Sequence, residues 1–256
     1  MVIESGTYAL ATGLIFVVSV LFSMLGMGGG MLYVPILHWL GLPLKVLAIP
    51  LGLLLNGITT LSAFIRYARE GLVDFRGGLP AAVAGLVMAP LGARLVEAVP
   101  RQTLIVLFAL AVAVAGARTL WQARKGEPEH IMSVSRRALV GGVVGGFAGF
   151  VAGLLGIGGG FIVAPMLMSL GYPTKRAAAT TAFIVVFSSF SGFLGHVSVG
   201  HIDTLLAALT VVAVVAGSQL GAWLMASKAR PSWVKWAYGV LLLSVAIKLA
   251  SAIVIG

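Results

Sequence analysis

Charged residues are scarce in this chain, and cysteine is missing. Only 9% of the 256 residues are Asp, Glu, Lys or Arg, whereas 60% are hydrophobic. A soluble domain carries about 25% charged residues, because these cover its water-facing surface. The composition therefore excludes an ordinary soluble protein. The absence of cysteine excludes disulfides and thiolate metal sites.

Motifs for nucleotide hydrolysis and zinc proteolysis are also missing. Neither a P-loop nor H-E-x-x-H occurs in the sequence. We therefore expect no cofactor, no metal ion, no catalytic residue and no ATP-driven pump within this chain. An intramembrane hydrolase would have to use Ser191 and His196. These lie five residues apart, roughly 140° around one helix, which is unsuitable for a dyad.

Long apolar runs are abundant. They predict an all-α polytopic membrane protein with five helical segments in each half, and the alternating pattern of a β-barrel is absent. The first run lacks a basic leader and a cleavage site, so we expect a retained helix. The predicted segments are about 7–25, 30–41, 45–66, 77–98 and 101–121, then about 136–155, 160–171, 175–196, 203–226 and 232–254.

The two halves are copies of each other. Nine positions recur 130 residues apart, including the glycines of 26–30 at 156–160, and "PLGARL" (90–95) recurs as "QLGAWL" (219–224). The repeat predicts a first membrane unit at 1–125, a cytoplasmic linker at 126–136 and a second membrane unit at 137–256. Transporters commonly bind substrate between such units.

Basic residues predict the topology. If the first two segments form a hairpin, the loops 66–77, 118–137, 171–176 and 228–235 share one face with 13 basic residues, against 4 on the other. If they form one crossing, the split is 9 against 8. The positive-inside rule favours the hairpin, with both termini outside the cytoplasm. An odd number of segments per half makes the halves an inverted repeat.

The net charge of +10 is explained by these loops and by anionic lipid, so we expect no nucleic-acid partner. It also favours a small anionic substrate. We predict a multi-pass protein of the cell (inner) membrane. The sequence leaves open the oligomeric state and the coupling ion, a proton or sodium.

Two glycine clusters interrupt the apolar runs. A helix begins just after each cluster, and the amides at a helix N-terminus favour an anion. Each following short helix contains a proline, which frees a further carbonyl. The alternative is that the glycines only allow close packing. The candidate substrate-binding residues here are Gly26, Gly28, Gly29, Gly30, Pro35, Gly156, Gly158, Gly159, Gly160 and Pro165.

The third segment of each half is rich in hydroxyl groups, which could line a path for an oxyanion or bond back to their own helix. The candidates are Asn56, Thr59, Thr60, Thr180, Thr181, Ser188 and Ser191, with Ser62 and Ser189 nearby. His196, Arg94 and Gln219 are candidates for a proton relay or for gating. Asp74 and Asp203 are predicted helix caps. The run Gly141, Gly145, Gly149 and Gly153 predicts close helix packing.

Three motifs are informative together: the paired "GMGGGMLYVPIL" (26–37) and "GIGGGFIVAPML" (156–167), with "APLGARL" (89–95). With them the chain resembles the TauE/SafE sulfite exporter family, also called the 4-toluene sulfonate uptake permease family. The resemblance spans essentially the whole chain. It implies transport of sulfur oxyanions or organosulfonates such as sulfite and sulfoacetate. Gln219 and Trp223 replace Pro90 and Arg94 in the second copy.

We therefore expect a secondary transporter for a small sulfur oxyanion or organosulfonate, bound between the glycine loops near the membrane midplane. The alternatives are a carrier for another small anion or ion, and a structural or lipid-scrambling membrane protein.

Overall fold

The structure, a computed structural model, describes residues 5–124, 131–196 and 203–255 and contains only helices within those ranges. A π-helical turn at Leu44–Ala48 leads directly into α3. The helices are α1 (Ser5–Met24), α2 (Gly30–Trp39), α3 (Ile49–Arg69), α4 (Phe75–Leu95), α5 (Arg101–Ala123), α6 (Val134–Leu155), α7 (Gly160–Ser169), α8 (Thr174–His196), α9 (Thr204–Ser227) and α10 (Pro231–Ile255).

The predicted all-α polytopic fold is confirmed. Within the described residues, six helical stretches are long and apolar enough to cross a membrane: Leu44–Arg69, Phe75–Leu95, Arg101–Trp121, Val134–Leu155, Thr174–His196 and Thr204–Ser227. The ten predicted segments match the observed helices within three residues at each boundary, if the π-helical turn is counted with α3. One difference concerns the linker predicted at 126–136, since α6 already begins at Val134. Residues 126–130 of that linker lie outside the described ranges.

The two halves interlock through their first, third and fourth helices. The fourth helix of each half packs against the first helix of the other, as α4 does on α6 and α9 on α1. It also packs against the third helix of the other half, as α4 does on α8 and α9 on α3. The remaining large contacts join α3 to α8 and α5 to α10. Exchanging the halves therefore leaves this set of large contacts between them unchanged.

The short helices α2 and α7 double back inside the bundle. Gly30, at the start of α2, lies beside Asn56 of α3, and a Cβ on Gly52 would lie 2.4 Å from the Val34 side chain. The later residue of α2, Val34, therefore meets the earlier residue of α3, Gly52, so the two helices run antiparallel. The hydroxyl of Tyr67, near the end of α3, donates to the carbonyls of Ser23 and Met24 at 2.8 and 3.0 Å. The end of α1 therefore lies beside the end of α3.

The glycine run on α6 packs closely, as the sequence predicts, and its partner is α4. A Cβ on Gly149 would lie 2.5 Å from the Gly85 Cα atom, and one on Gly153 would lie 1.9 Å from the Ala89 carbonyl oxygen. At the matching α1–α9 interface the glycines are on the fourth helix instead. A Cβ on Gly217 would lie 1.9 Å from the Ser19 hydroxyl. Small residues thus bring the backbones of both helix pairs together.

Polar residues close the ends of the helices. Asp74 accepts from the Gly77 amide at 2.9 Å and Asp203 from the Leu206 amide at 2.8 Å, which confirms both predicted caps. Lys175 donates to the Ala226 carbonyl at 2.9 Å, and Lys45 donates to the Glu97 carbonyl at 3.2 Å. In both halves a lysine thus stabilises the C-terminal end of the fourth helix.

A three-residue network joins α4, α6 and the α7–α8 turn at one end of the bundle. Asp74 forms an ion pair with Arg137 and accepts a hydrogen bond from the Tyr172 hydroxyl at 2.7 Å. Arg137 also donates to the Tyr172 hydroxyl at 2.7 Å. Three of the four predicted basic loops therefore meet here. We call this the basic end of the bundle.

Asp74 makes stability depend on pH. Burial opposes its ionisation, but the Gly77 amide, Tyr172 and Arg137 outweigh that effect and lower the Asp74 pKa. A lowered pKa gives stability that is present above the unfolded-state value, about 3.9, and is lost as the pH falls through the folded-state value. We expect Asp74→Asn to lower the apparent melting temperature at neutral pH, and the difference from wild type to close below about pH 4. Thermal unfolding of the purified protein against pH tests this, and a constant difference would contradict it.

Candidate functional site

The two glycine loops meet in the centre of the protein. A Cβ on Gly160 would lie 2.5 Å from the Met27 carbonyl oxygen, and one on Gly30 would lie 2.9 Å from the Gly156 carbonyl oxygen. All residues of 25–30 and 155–160 are buried. The loops are therefore in backbone-to-backbone contact, which is compatible only with glycine at these positions.

Left-handed backbone explains why several of these residues are glycine. Gly26 and Gly28 have φ values of 66° and 68°, and Gly156 and Gly158 have φ values of 76° and 74°. Residues with a Cβ rarely adopt this region. The third glycine differs between the loops, because Gly29 has φ −102° and Gly159 has φ 74°. The two loops are thus similar but not identical.

Asn56 of α3 lies between both loops and α8. Its Oδ1 atom accepts from the Gly30 amide at 2.7 Å, and its Nδ2 atom donates to the Ser189 hydroxyl at 2.8 Å. A Cβ on Gly28 would lie 2.2 Å from Oδ1, and one on Gly158 would lie 1.9 Å from Nδ2. One fully buried carboxamide therefore contacts both glycine loops.

The loops carry backbone amides without acceptors. Within the described residues, the N–H groups of Gly28 and Gly29, and those of Gly158, Gly159 and Gly160, donate no hydrogen bond. Helix N-termini leave such donors by geometry, and a cap, water or a ligand normally satisfies them. Both helices lack a side-chain cap at their N-cap residue. The centre of the protein thus has a surplus of neutral donors.

The surplus is unequal in the two halves. Gly30 and Gly160 are equivalent, but only Gly30 donates to a carboxamide. The position equivalent to Asn56 is Val186, which cannot accept a hydrogen bond. The N-terminus of α7 is therefore more open to an added acceptor than that of α2.

Hydroxyl groups surround the loops from both third helices. Ser188 donates to the Gly158 carbonyl at 3.1 Å, and Thr59 lies 3.0 Å from the Tyr33 hydroxyl. The ring of Tyr33 packs on Gly29, where a Cβ would lie 2.0 Å from a ring carbon. Tyr33 was not among the sequence candidates, and its equivalent in the second half is Val163. Ser189 was noted only as part of the hydroxyl-rich helix, and its bond to Asn56 places it at the centre.

Thr181 is a fully buried hydroxyl whose oxygen has no hydrogen-bond partner within the described residues. It is seven residues before Ser188, so the two lie within roughly 20° of each other around α8. Ser188 contacts the second loop, and Ala178, one turn before Thr181, contacts Gly26 of the first. Thr181 is thus on the face of α8 that both loops contact.

Three other hydroxyl candidates bond elsewhere. Thr60 donates to the Asn56 and Gly57 carbonyls of its own helix at 2.8 and 3.1 Å. Ser191 similarly lies 3.4 Å from the Ser188 carbonyl. The Thr180 hydroxyl accepts from the Asp74 amide at 3.1 Å, at the basic end. The structure gives these residues local roles, and it does not bring them to the loops.

The gating candidates are also separate from the loops. Arg94 is exposed near the end of α4. Gln219 donates to the carbonyl and hydroxyl of Ser62 at 2.8 and 2.9 Å, joining α9 to α3. His196 is buried, its Nδ1 atom lies 2.9 Å from the Gly192 carbonyl, and its Nε2 atom has no partner within the described residues.

Pro35 and Pro165 lie inside α2 and α7, one and a half turns after each loop. Each proline removes a backbone donor from the middle of a ten-residue helix. Both are buried. The two short helices are therefore weakened at equivalent places.

Known proteins that are similar to this chain are membrane transporters. A model of the sulfite exporter TauE/SafE family matches residues 11–249. The chain is 31% identical over 223 residues to the probable membrane transporter protein YunE of Bacillus subtilis, covering 78% of this chain and 82% of that protein. It is 26% identical to a probable membrane transporter protein of Methanocaldococcus jannaschii, covering 80% and 82%.

A shorter match is found in a plant protein. Sulfite exporter TauE/SafE family protein 1 of Arabidopsis thaliana is 32% identical over 99 residues, which cover 37% of this chain and 22% of that protein. No solved structure matches the chain significantly.

Proposed function

Because the chain belongs to the sulfite exporter TauE/SafE family and is a multi-pass membrane transporter, we propose that it carries a small sulfur-containing oxyanion or organosulfonate. The substrate binds where the two glycine loops meet. The observation that carries this proposal is the set of backbone amides there without acceptors. Oxyanions are suitable acceptors for such donors.

The chemistry around the loops supports a transported anion. The three atoms nearest to an added Cβ on each loop glycine belong to uncharged residues. Neutral donors stabilise an anion less than a buried lysine or arginine would, because charge-assisted hydrogen bonds are roughly twice as strong. A neutral site therefore binds the substrate without holding it too firmly for release.

The difference between the halves favours α7 as the main contact. The carboxamide of Asn56 already occupies the Gly30 amide, whereas the equivalent Gly160 amide is open. The unpaired Thr181 hydroxyl lies on the face of α8 that the loops contact. We infer that the anion binds at the N-terminus of α7, with Ser188 beside it and Thr181 about 10 Å further along the same face of α8.

Alternating access by an inverted repeat is part of the proposal. Its support is that the equivalent loops 41–45 and 171–176 contact different partners. Lys45 of the first loop bonds to Glu97 near the end of α4, and Tyr172 of the second bonds to Asp74 at the start of α4. The ends of one helix are on opposite sides of the bundle. Rocking of one half on the other would then expose the loops to each side in turn.

The location of the termini rests on charge. The basic end carries the loops that hold most Lys and Arg residues, so the positive-inside rule assigns it to the cytoplasm. Both termini then lie outside. Whether the protein imports or exports, and with which coupling ion, depends on the gradient that it uses.

Transport in proteoliposomes tests the function. We expect counterflow of labelled sulfite to be accelerated by internal sulfite, thiosulfate or taurine and not by chloride. Acceleration by chloride alone would favour the alternative of a carrier for other anions. Lipid movement between leaflets without anion counterflow would favour the scrambling protein.

Asn56 provides a sharper test of the site. Asn56→Leu removes both the acceptor of the Gly30 amide and the donor to Ser189. We expect counterflow to fall about tenfold or more, which corresponds to about 1.4 kcal/mol. The matched control is Thr60→Val, one helical turn away, because its hydroxyl bonds only to its own helix. Equal losses in both variants, at equal amounts of folded protein, would contradict a site at Asn56.

A further inference from the structure

A groove of about 620 Å³ lies at the basic end, outside the proposed transport site. Leu21 and Met24 of α1 form one wall, and Trp233 and Val234 of α10 form the other. Lys228 and Arg230, from the turn between α9 and α10, also line it. The groove thus combines an apolar interior with two cations.

The length and hydropathy of the neighbouring helix indicate where the groove lies along the membrane normal. The candidate membrane span Thr204–Ser227 ends directly before Lys228. The cations therefore lie where the hydrocarbon gives way to the polar headgroups. Trp233 is 73% exposed in the isolated chain, and tryptophan is typical of this interfacial layer.

Aromatic and basic residues are concentrated around this end of α9 and α10. The Lys228 Nζ atom lies 5.1 Å from the centre of the Trp223 ring, and the Arg124 guanidinium lies 5.8 Å from that of Trp236. Such contacts hold a cation over an apolar surface. Within the described residues, neither Lys228 nor Arg230 forms an ion pair with a carboxylate.

The first half does not repeat this arrangement. With the spacing of 129 residues that relates the fourth helices, Lys228 corresponds to Val99, Trp233 to Leu104 and Trp223 to Arg94. Only Arg230 has a basic equivalent, Arg101. The duplicated fold therefore does not require this cluster, which points to a separate role.

We propose that the groove is a binding site for one anionic phospholipid. An acyl chain lies along Leu21, Met24 and Val234, and the phosphate group lies against Lys228 and Arg230, with Trp233 at the level of the glycerol. Each cation near an anionic membrane surface contributes roughly fivefold to binding. Because Met24 is two residues before Gly26, the lipid also supports the helix that ends at the first glycine loop.

Lipid retention in native mass spectrometry tests the proposal with the full-length protein. The probe is phosphatidylglycerol added to delipidated protein in detergent, with phosphatidylcholine and inorganic phosphate as separate arms. We expect one tightly retained phosphatidylglycerol, little phosphatidylcholine, and no competition by phosphate. Equal retention of both lipids, or displacement by phosphate at similar concentration, would overturn the proposal.

The variant is Lys228→Gln/Arg230→Gln, which keeps the length of both side chains. We expect retention of phosphatidylglycerol to fall about tenfold or more. The matched control is Arg69→Gln/Arg76→Gln, which removes two exposed cations from another loop of the basic end. Equal loss in the control would show a general charge effect and overturn the site.

Two further measurements distinguish loss of lipid binding from misfolding of the variant. The elution volume and the melting temperature of the variant without lipid should equal those of the wild type, because both replaced residues are exposed. If the variant is misfolded, Trp233→Ala replaces it, with the same expected loss of retention. A change in oligomeric state with unchanged lipid retention would assign the groove to contact between copies of the chain, and would also overturn the proposal.

Discussion

Replacing Gly159 with valine is expected to reduce transport to background while the protein still inserts into the membrane. Gly159 has φ 74°, which a β-branched residue cannot adopt without strain. Its Cβ would also lie 2.6 Å from the Ala148 carbonyl oxygen. The loop must therefore move, and with it the unpaired amides that lead into α7. Counterflow in proteoliposomes, normalised to the amount of folded protein, measures the effect.

The control for this substitution is Gly142→Val on α6. Gly142 has no atom within 4 Å of an added Cβ, so the same side chain can be accommodated there. We expect near-normal transport from this variant. Gly159→Ala keeps the left-handed strain and reduces the added volume, so it should give an intermediate rate. Normal transport by Gly159→Val would disprove the proposed role of the second loop.

The largest effect on stability is expected from Gly153→Ala on the face of α6 that packs against α4. A Cβ here would lie 1.9 Å from the Ala89 carbonyl oxygen. Because the obstacle is helix backbone, α4 and α6 must separate. Overpacking of this kind costs about 1–3 kcal/mol. Unfolding of the purified protein by heat or denaturant in a mild detergent measures the loss.

Gly146→Ala is the matched control on the same helix. Its Cβ would lie 3.5 Å from the Met88 side chain, an ordinary contact. Since alanine favours a helix over glycine by about 1 kcal/mol, this variant should be equally or more stable than wild type. The same substitution thus has opposite expected signs at two positions of one helix. Equal destabilisation of both variants would refute the packing argument.

The helical fold could be predicted from the sequence because each of its causes is local. Apolar runs predict the membrane helices, Asp74 and Asp203 mark the start of the fourth helices, and the glycines at 26–30 and 156–160 mark the breaks. The glycine run on α6 predicted close packing, but not its partner. That α4 is the partner depends on how the two halves interlock, which single-helix patterns do not contain.

The sequence predicted where the backbone loops of the candidate site lie, but not which side chains contact them. The doubled glycine motif identified both loops, because a left-handed or crowded backbone restricts the sequence directly. The hydroxyl groups did not carry such information. Thr60 and Ser191 bond to their own helices, whereas Ser189 bonds to Asn56. These serines and threonines look alike in sequence. Which of them faces the glycine loops depends on how α3 and α8 are rotated about their own axes in the folded protein.

Sequence analysis missed Tyr33, which contacts the site, and selected Arg94, which does not. Tyr33 contacts Thr59 and covers Gly29, yet it looks like one more apolar residue of a short helix. Arg94 is an ionisable residue within a conspicuous motif, yet it is exposed near a helix end. Residue type predicts chemistry well, but the distance to the site depends on tertiary packing.

Asn56 makes the two halves unequal partners. If the halves rock, the inward-facing and outward-facing states would be related by a two-fold rotation and equal in energy only if every contact had an equivalent. The bond from Gly30 to Asn56 has none at Gly160 and Val186. A hydrogen bond of about 1 kcal/mol that persists in only one state would shift the resting ratio of the two states roughly fivefold. A single amide that only one of the two copies carries is thus enough to give the empty carrier a preferred side.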